Sequence, residues 1–239
     1  MVDMSMYVQI TSRCNMKCRH CAFACTSKGK DMSKATFDKA LALAAEYGQD
    51  IMIGGGEPTL HPHFKDYLLH AMWELGGVTE DMGSPAVSVV TNGSNTEIAL
   101  RLAKLASVGV ISADVSQDQY HDPIDERVFK AFTPSMTPTG RIRENDYRSI
   151  RNTSKHISAR GRAKEWAEYD DCGCSSLFVD PQGNVYPCGC KKTRLGNIHD
   201  ANFTVDSERF SGECEDSAYR EPAAALGGDV PDNVDGIKL

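Results

Sequence analysis

Four thiols stand within the twelve residues from Cys14 to Cys25, and the first three follow the spacing Cys-x3-Cys-x2-Cys. Three thiolates, from Cys14, Cys18 and Cys21, can hold three corners of a cubane iron-sulfur cluster, whose usual complement is four cysteines. One iron would then lack a protein ligand. Zinc would instead take four ligands, and Cys25 or His20 could complete its tetrahedron. The cysteines alone leave both readings open, because short motifs recur by chance.

A second group comprises Cys172, Cys174, Cys188 and Cys190, with Cys214 beyond it and no cysteine between Cys25 and Cys172. The stretch CGCSSLFVDPQGNVYPCGC reads as a hairpin. Asp180-Pro181-Gln182-Gly183 has Pro and Gly at the second and fourth places of a type I turn, between LFV and NVY as strands. If residue 179 pairs with 184, then 174 lies across from 189. Residues two apart on a strand face one side, so four sulfurs could meet at the open end. A zinc ribbon is the structural alternative to a cluster there. Nine cysteines, an odd count without an export signal, argue against a disulfide framework and for thiolates kept for metal or catalysis.

The elements that must position these groups are legible from periodicity. YVQI leads as a strand into the first cysteines, and a helix is expected from Ser33, a good N-cap, to Tyr47, with Gly48 as its stop. DIMIG reads as a buried strand. Phe64, Tyr67, Leu68, Ala71, Met72 and Leu75 then form one apolar stripe at helical spacing, ended by Gly76-Gly77. AVSVV is a third strand, residues 95–107 a third helix, and GVISADV a fourth strand. Strand-helix units repeating at about 35 to 40 residues suit right-handed crossovers in a parallel sheet. In such sheets ligands sit at the carboxyl ends of the strands. The unusual stretches fall there: the cysteines after strand one, GGGEPT after strand two, TNGSN after strand three and SQDQYHD after strand four. Beyond Tyr120 the pattern weakens to a helical stretch over 121–133, an irregular loop over 134–146, and one or two strands within IRNTSKHISARGRA.

The chain has 239 residues, 41% of them hydrophobic, enough for a substantial core. No apolar run approaches the roughly 18 residues of a membrane span, and the first ten residues lack the features of a secretory signal, so a cytoplasmic protein is expected. The balance of 26 basic against 33 acidic residues, net −7, disfavours broad binding to nucleic acid or anionic lipid.

The Cys-x3-Cys-x2-Cys run directly after a first strand, His20 just before its third cysteine, and Gly55-Gly56-Glu57 after the second strand together resemble the radical S-adenosylmethionine (radical SAM) superfamily. The resemblance covers residues 6 to about 120 in order. It implies a [4Fe-4S] cluster on Cys14, Cys18 and Cys21, whose open iron is chelated by the amino and carboxylate groups of S-adenosylmethionine. An electron from the cluster then cleaves the sulfonium, and the resulting 5′-deoxyadenosyl radical takes hydrogen from a substrate. It further implies cofactor contacts from Gly55, Gly56 and Glu57, with Glu57 accepting from the methionine amine. Thr91, Asn92, Ser116 and Asp118 match places that contact the ribose and the methionine end, and Arg127 resembles an arginine that grips the methionine carboxylate. His20 would pack against the cluster or the adenine. Tyr120, His121 and Asp122 are candidates to face the substrate, with ordinary surface turn residues as the competing reading.

The second cysteine group, with RLGNIHD after it and GRA at 161–163 before it, resembles a truncated SPASM or twitch extension. That implies one auxiliary [4Fe-4S] cluster, or zinc, held by four of Cys172, Cys174, Cys188, Cys190 and Cys214. The expected fold is therefore a partial (β/α)6-type TIM barrel with a small cysteine-rich β-hairpin module. The core domain would occupy 1–165, and the module with an acidic tail 166–239. An electron donor such as flavodoxin or ferredoxin is implied. Two substrate classes compete, a peptide or protein residue and a small metabolite or nucleotide, and a non-catalytic metal-bound scaffold is the rival outside enzymology.

Overall fold

The computed structural model describes residues 5–47, 50–76, 84–152, 157–167 and 176–205. Three strand-helix units come first: β1 (Ser5–Thr11), α1 (Lys34–Glu46), β2 (Ile51–Gly55), α2 (Phe64–Glu74), β3 (Val87–Thr91) and α3 (Thr96–Ala106). Then follow β4 (Ser112–Ser116), α4 (Glu126–Phe132) and β5 (Arg148–Arg151), and finally β6 (Ser176–Val179), β7 (Asn184–Tyr186) and β8 (Gly196–Asn197). The helices start where capping chemistry places them. Ser33 Oγ accepts from Thr36 N at 3.1 Å, Asn95 Oδ1 from Ile98 N at 3.3 Å, and Asp125 Oδ1 from Arg127 N at 2.9 Å. Each such cap is worth about 1 kcal/mol.

One eight-stranded sheet runs in the order β5-β4-β3-β2-β1-β6-β7-β8. Pairings from β5 through β6 are all parallel, and β6-β7 and β7-β8 are antiparallel. This is the α/β architecture expected, with six parallel strands. The sixth, however, is the first arm of the cysteine-bearing hairpin, laid beside β1 with Tyr7 opposite Phe178. The stretch from 148 supplies one strand, β5, and residues 161–163 form a 3₁₀ turn. Over 134–146 the only ladder contact among the described residues is a bridge between Met136 and Ile142.

The hairpin register differs by one residue from expectation: Val179 pairs with Val185 and Phe178 with Tyr186. The cause is the loop. Asp180 N donates to Asn184 O at 3.0 Å, Gly183 N donates to Asp180 O at 2.9 Å, and Gly183 sits at φ +79°. A three-residue loop with glycine in the left-handed region replaces a four-residue one. Cys188 and Cys190 lie in the turn just past β7, whereas Cys172, Cys174 and Cys214 lie outside the described residues, as do Gly48, Gly77 and the acidic tail.

Alternation along the strands divides the sheet into two faces. Met6, Val8, Ile51, Ile53, Val87 and Val89 are no more than 1% exposed and pack with Phe37, Tyr67, Leu102 and Phe132 from the helices. The alternate residues Tyr7, Met52, Val90, Ser116, Arg151 and Phe178 instead line a cavity.

Candidate metal and cofactor site

The cavity, about 490 Å³, opens where the parallel strands end, and its size falls in the range usual for small-molecule sites. Its walls come from the cysteine loop after β1, the exits of β2 to β5, and the hairpin.

The loop from Ser12 to Thr26 leaves β1 and is drawn back to it. Ser12 N donates to Lys30 O at 2.8 Å and Cys14 N to Thr26 O at 2.9 Å. Cys14, Cys18 and Cys21 all line the cavity. Cys25, a candidate fourth zinc ligand, is 3% exposed and outside that wall, its sulfur accepting from Gln9 Nε2 at 3.7 Å. Gln9 is held in turn by Lys191, whose Nζ donates to Gln9 Oε1 at 2.8 Å. The hydrogen bond with Cys25 pulls the Cys21 thiol down to about 5 and pushes the Cys25 thiol up. Burial, then the charges of Cys14 and Cys21, push Cys18 up to about 11, and burial raises Cys14 too. Cys14 and Cys18 are therefore costly as bare thiolates, and a bound cationic centre would remove that cost. The donor set fits a cluster that Cys14, Cys18 and Cys21 would hold.

Tight packing where β2 ends explains the three glycines more fully than unhindered access alone. Gly56 N donates to Thr11 O and Glu57 N to Arg13 O, both at 2.8 Å, and Gly55 N donates to Tyr7 Oη at 2.9 Å. A Cβ on Gly54 would fall 2.1 Å from Tyr7 Oη, and one on Gly56 2.2 Å from Arg13 O. Gly55 and Gly56 line the cavity; Glu57 does not. Its carboxylate is fully buried and accepts from Thr59 N, Thr59 Oγ1 and Thr91 Oγ1 on one oxygen and from Asn92 N, at 2.6 Å, on the other. Burial raises its proton affinity against those bonds. Glu57 thus clamps the β2 exit to the β3 exit, and the availability it would need to receive an amine is already taken up. Asn92 carries the connection onward, its Nδ2 donating to Cys14 Sγ at 3.8 Å and to Asn15 Oδ1 at 3.1 Å. Thr91 and Asn92 both reach the cavity wall.

At the β4 exit Ser116 lines the cavity, while Asp118 lies behind it. Asp118 accepts from Tyr120 N at 2.9 Å, pairs with His121 Nδ1 at 2.8 Å and stands 3.5 Å from His20 Nε2. Burial alone would raise the carboxyl of Asp118, but these donors hold it low, and burial lowers the proton affinity of His20. Donor atoms of His20, Asp118 and His121 lie within 4.8 Å of one another, a spacing a small cation could span. His20 Nδ1 is buried with no hydrogen-bond partner among the described residues. Of the substrate-facing candidates, His121 lines the cavity. Tyr120 packs instead between His20 and Trp166, at centroid distances of 5.0 and 5.7 Å, and Asp122 is exposed.

Arg127 does not reach the site. It lies in the first turn of α4, its side chain 72% exposed and paired with the capping Asp125 at 2.6 Å. The arginines on the cavity wall are Arg151, at the end of β5, and Arg162, in the 3₁₀ turn. Sequence reasoning missed both, along with Tyr7 and Phe178. The usable signal was strand alternation, since Tyr7 and Phe178 stand between fully buried neighbours and Arg151 follows the partly buried Ile150. Cys188 also lines the cavity, so the second cysteine group reaches the same space as the first, whereas Cys190 does not line it.

Comparison with known proteins gives a match to the family model described as the radical SAM superfamily over residues 8–137. The chain belongs to the radical SAM superfamily. Among curated relatives it is similar to an S-adenosylmethionine-dependent nucleotide dehydratase of a Thermoplasmatales archaeon (strain ISO4-H5), 33% identical over 91 residues, 38% of this chain and 29% of that one. It is also similar to a probable GTP 3′,8-cyclase of Methanopyrus kandleri, 29% identical over 133 residues, 55% of this chain and 38% of that one. The chain therefore matches between 29% and 38% of those relatives' length. Among solved structures, BtrN in complex with AdoMet and 2-DOIA aligns with a TM-score of 0.58 at 18% identity, over 83% of this chain and 78% of that one. Native anSMEcpe with bound AdoMet aligns with a TM-score of 0.51 at 16% identity, over 82% and 78%. Both share the fold. Members of the radical SAM superfamily use a [4Fe-4S] cluster and S-adenosylmethionine, and among the described residues of this chain no helix is long and apolar enough to cross a membrane.

Proposed function

We propose that the chain acts on a small anionic metabolite of the nucleotide class rather than on a peptide residue. The observation that carries this reading is the composition of the cavity wall. It holds Arg151 and Arg162 with His20 and His121, and no carboxylate among the described residues, on a chain whose net charge is −7. Arg151 makes no side-chain hydrogen bond among the described residues and stands at the carboxyl end of β5, free to meet an anionic group bidentately. The names of the curated relatives, a nucleotide dehydratase and GTP cyclases, support the same class.

On this reading Cys14, Cys18 and Cys21 hold the cluster, and the backbone at Gly55 and Gly56 with Asn92 and Ser116 receives S-adenosylmethionine. Once bound, the pair supplies the one-electron cleavage that delivers an adenosyl radical to a substrate C-H bond. The chain's own task is positioning. Tyr7, Phe178 and Met52 wall off water on the inner sheet face, and Arg151 fixes the substrate's charged end so that one carbon is presented. Cys188, on the same wall, is one of the cysteines from which an auxiliary cluster or zinc would be built.

The test is to incubate reduced, anaerobically reconstituted protein and S-adenosylmethionine with nucleoside triphosphates carrying deuterium on the sugar, or with candidate peptides. Deuterium in 5′-deoxyadenosine from the nucleotides, reduced at least tenfold by Arg151→Gln, is expected. Transfer only from peptides would overturn the reading.

A further inference from the structure

Gly161-Arg162-Ala163 has no assigned part in the chemistry, yet it is bound to the cysteine loop from a distance of well over a hundred residues in sequence. Arg162 N donates to Cys21 O at 3.0 Å, Arg162 Nε to Cys18 O at 2.9 Å, and Arg162 Nη1 to Cys25 O at 2.9 Å. One residue thus collects the carbonyls of three of the loop's four cysteines. The approach leaves no spare room: Gly161 is at φ +52°, and a Cβ there would lie 2.3 Å from Cys21 O. Ala163 is fully buried behind it. Trp166 closes the arrangement, its Nε1 donating to Arg162 O at 3.1 Å and its ring lying 4.6 Å from the Arg19 guanidinium.

The acceptors matter as much as the count. Carbonyl oxygens satisfy the guanidinium without neutralising it, and no carboxylate pairs with Arg162 among the described residues. A full positive charge is therefore fixed on the same cavity wall as the sulfurs of Cys14, Cys18 and Cys21. Such a charge favours whichever state of a bound cluster carries more negative charge, which is the reduced one.

We propose that Arg162 is a positioning residue that holds the three-cysteine loop in its ligating shape and whose charge raises the reduction potential of the cluster. The proposal rests on the reading of that loop as a cluster site. It is tested on the reconstituted full chain, without S-adenosylmethionine or substrate, by comparing the wild type with Arg162→Lys and Arg162→Gln. The readouts are the midpoint potential from an EPR-monitored titration and the rate of iron release to a chelator. Arg162→Gln is expected to move the midpoint to a more negative value and to speed iron release about tenfold, as loss of an outer-shell partner does. Arg162→Lys keeps the charge but cannot span two carbonyls, so it should hold the midpoint near the wild type while still releasing iron faster. Should Arg162→Gln fail to fold, Arg162→Lys still carries the test of the clamp. Both variants matching the wild type in potential and iron release would overturn the proposal. A wild type that loads no iron-sulfur cluster would instead overturn the reading of the loop.

Discussion

The two faces of the central sheet, made by alternate residues of the same strands, have opposite characters. On the helix side Ile53, Val89 and Val115 are completely buried, whereas on the inner side their neighbours Met52, Val90 and Ser116 border the cavity. Parallel sheets are usually apolar on both faces because helices cover both. Here, among the described residues, the α-helices pack on one face, and the other carries Ser88, Asp114, Ser116, Ser149 and Arg151 among its aromatic and aliphatic residues. Stability is concentrated on one side and chemistry on the other, and substitutions should separate the two.

The largest effect is expected from Cys18→Ala on the cavity side. Loss of one of three ligands should cut bound iron and abolish S-adenosylmethionine cleavage, at least a hundredfold, while the far-ultraviolet circular dichroism and urea midpoint of the metal-free protein stay within about 1 kcal/mol. An apo protein that unfolds would show that the loop is part of the structural core. Phe37→Ala probes the helix side. Phe37 is 1% exposed and stacks on Tyr67 at 4.2 Å, so its loss should cost about 3 to 5 kcal/mol in urea unfolding, with the activity of the remaining folded protein unchanged. A smaller effect is expected at the sheet edge, where Arg148 binds Asp146, Ala131 O and Ser135 Oγ. Arg148 holds the Asp146 carboxyl at about 2, below its ordinary 3.8. A carboxyl depressed in the folded state stabilises above its unfolded value and loses that contribution as pH falls through its folded one. Stability should therefore drop by on the order of 1 to 2 kcal/mol between about pH 4 and pH 2. Arg148→Met should flatten that acid limb in urea titrations.

Much of the helix side was legible because its signal is periodic. Ser33, Asn95 and the stripe from Phe64 placed the helices within a residue or so of their observed ends. The cavity side was legible only where a short motif marks it. Cys14, Cys18 and Cys21 share one wall as their spacing implied, and Gly55, Gly56, Thr91, Asn92 and Ser116 join them. Glu57 and Asp118 were named for their chemistry, but burial and neighbouring donors occupy both carboxylates. Arg127 was named for its resemblance to a carboxylate-gripping arginine, and the capping aspartate two residues before it holds it at the surface. GRA at 161–163 was read only as marking the junction before the hairpin, because the partners of Arg162 are backbone carbonyls, which every residue carries. The hairpin's register shifted through a single left-handed glycine, and its place beside β1 depends on a long connection that periodicity does not read.

The most direct test of the account is the EPR spectrum of the anaerobically reduced [4Fe-4S] protein before and after adding S-adenosylmethionine, with 5′-deoxyadenosine measured in the same sample. A site built on Cys14, Cys18 and Cys21 predicts that the added nucleotide changes the spectrum and is cleaved. A cluster whose spectrum is indifferent to it, with no 5′-deoxyadenosine formed, would contradict the account.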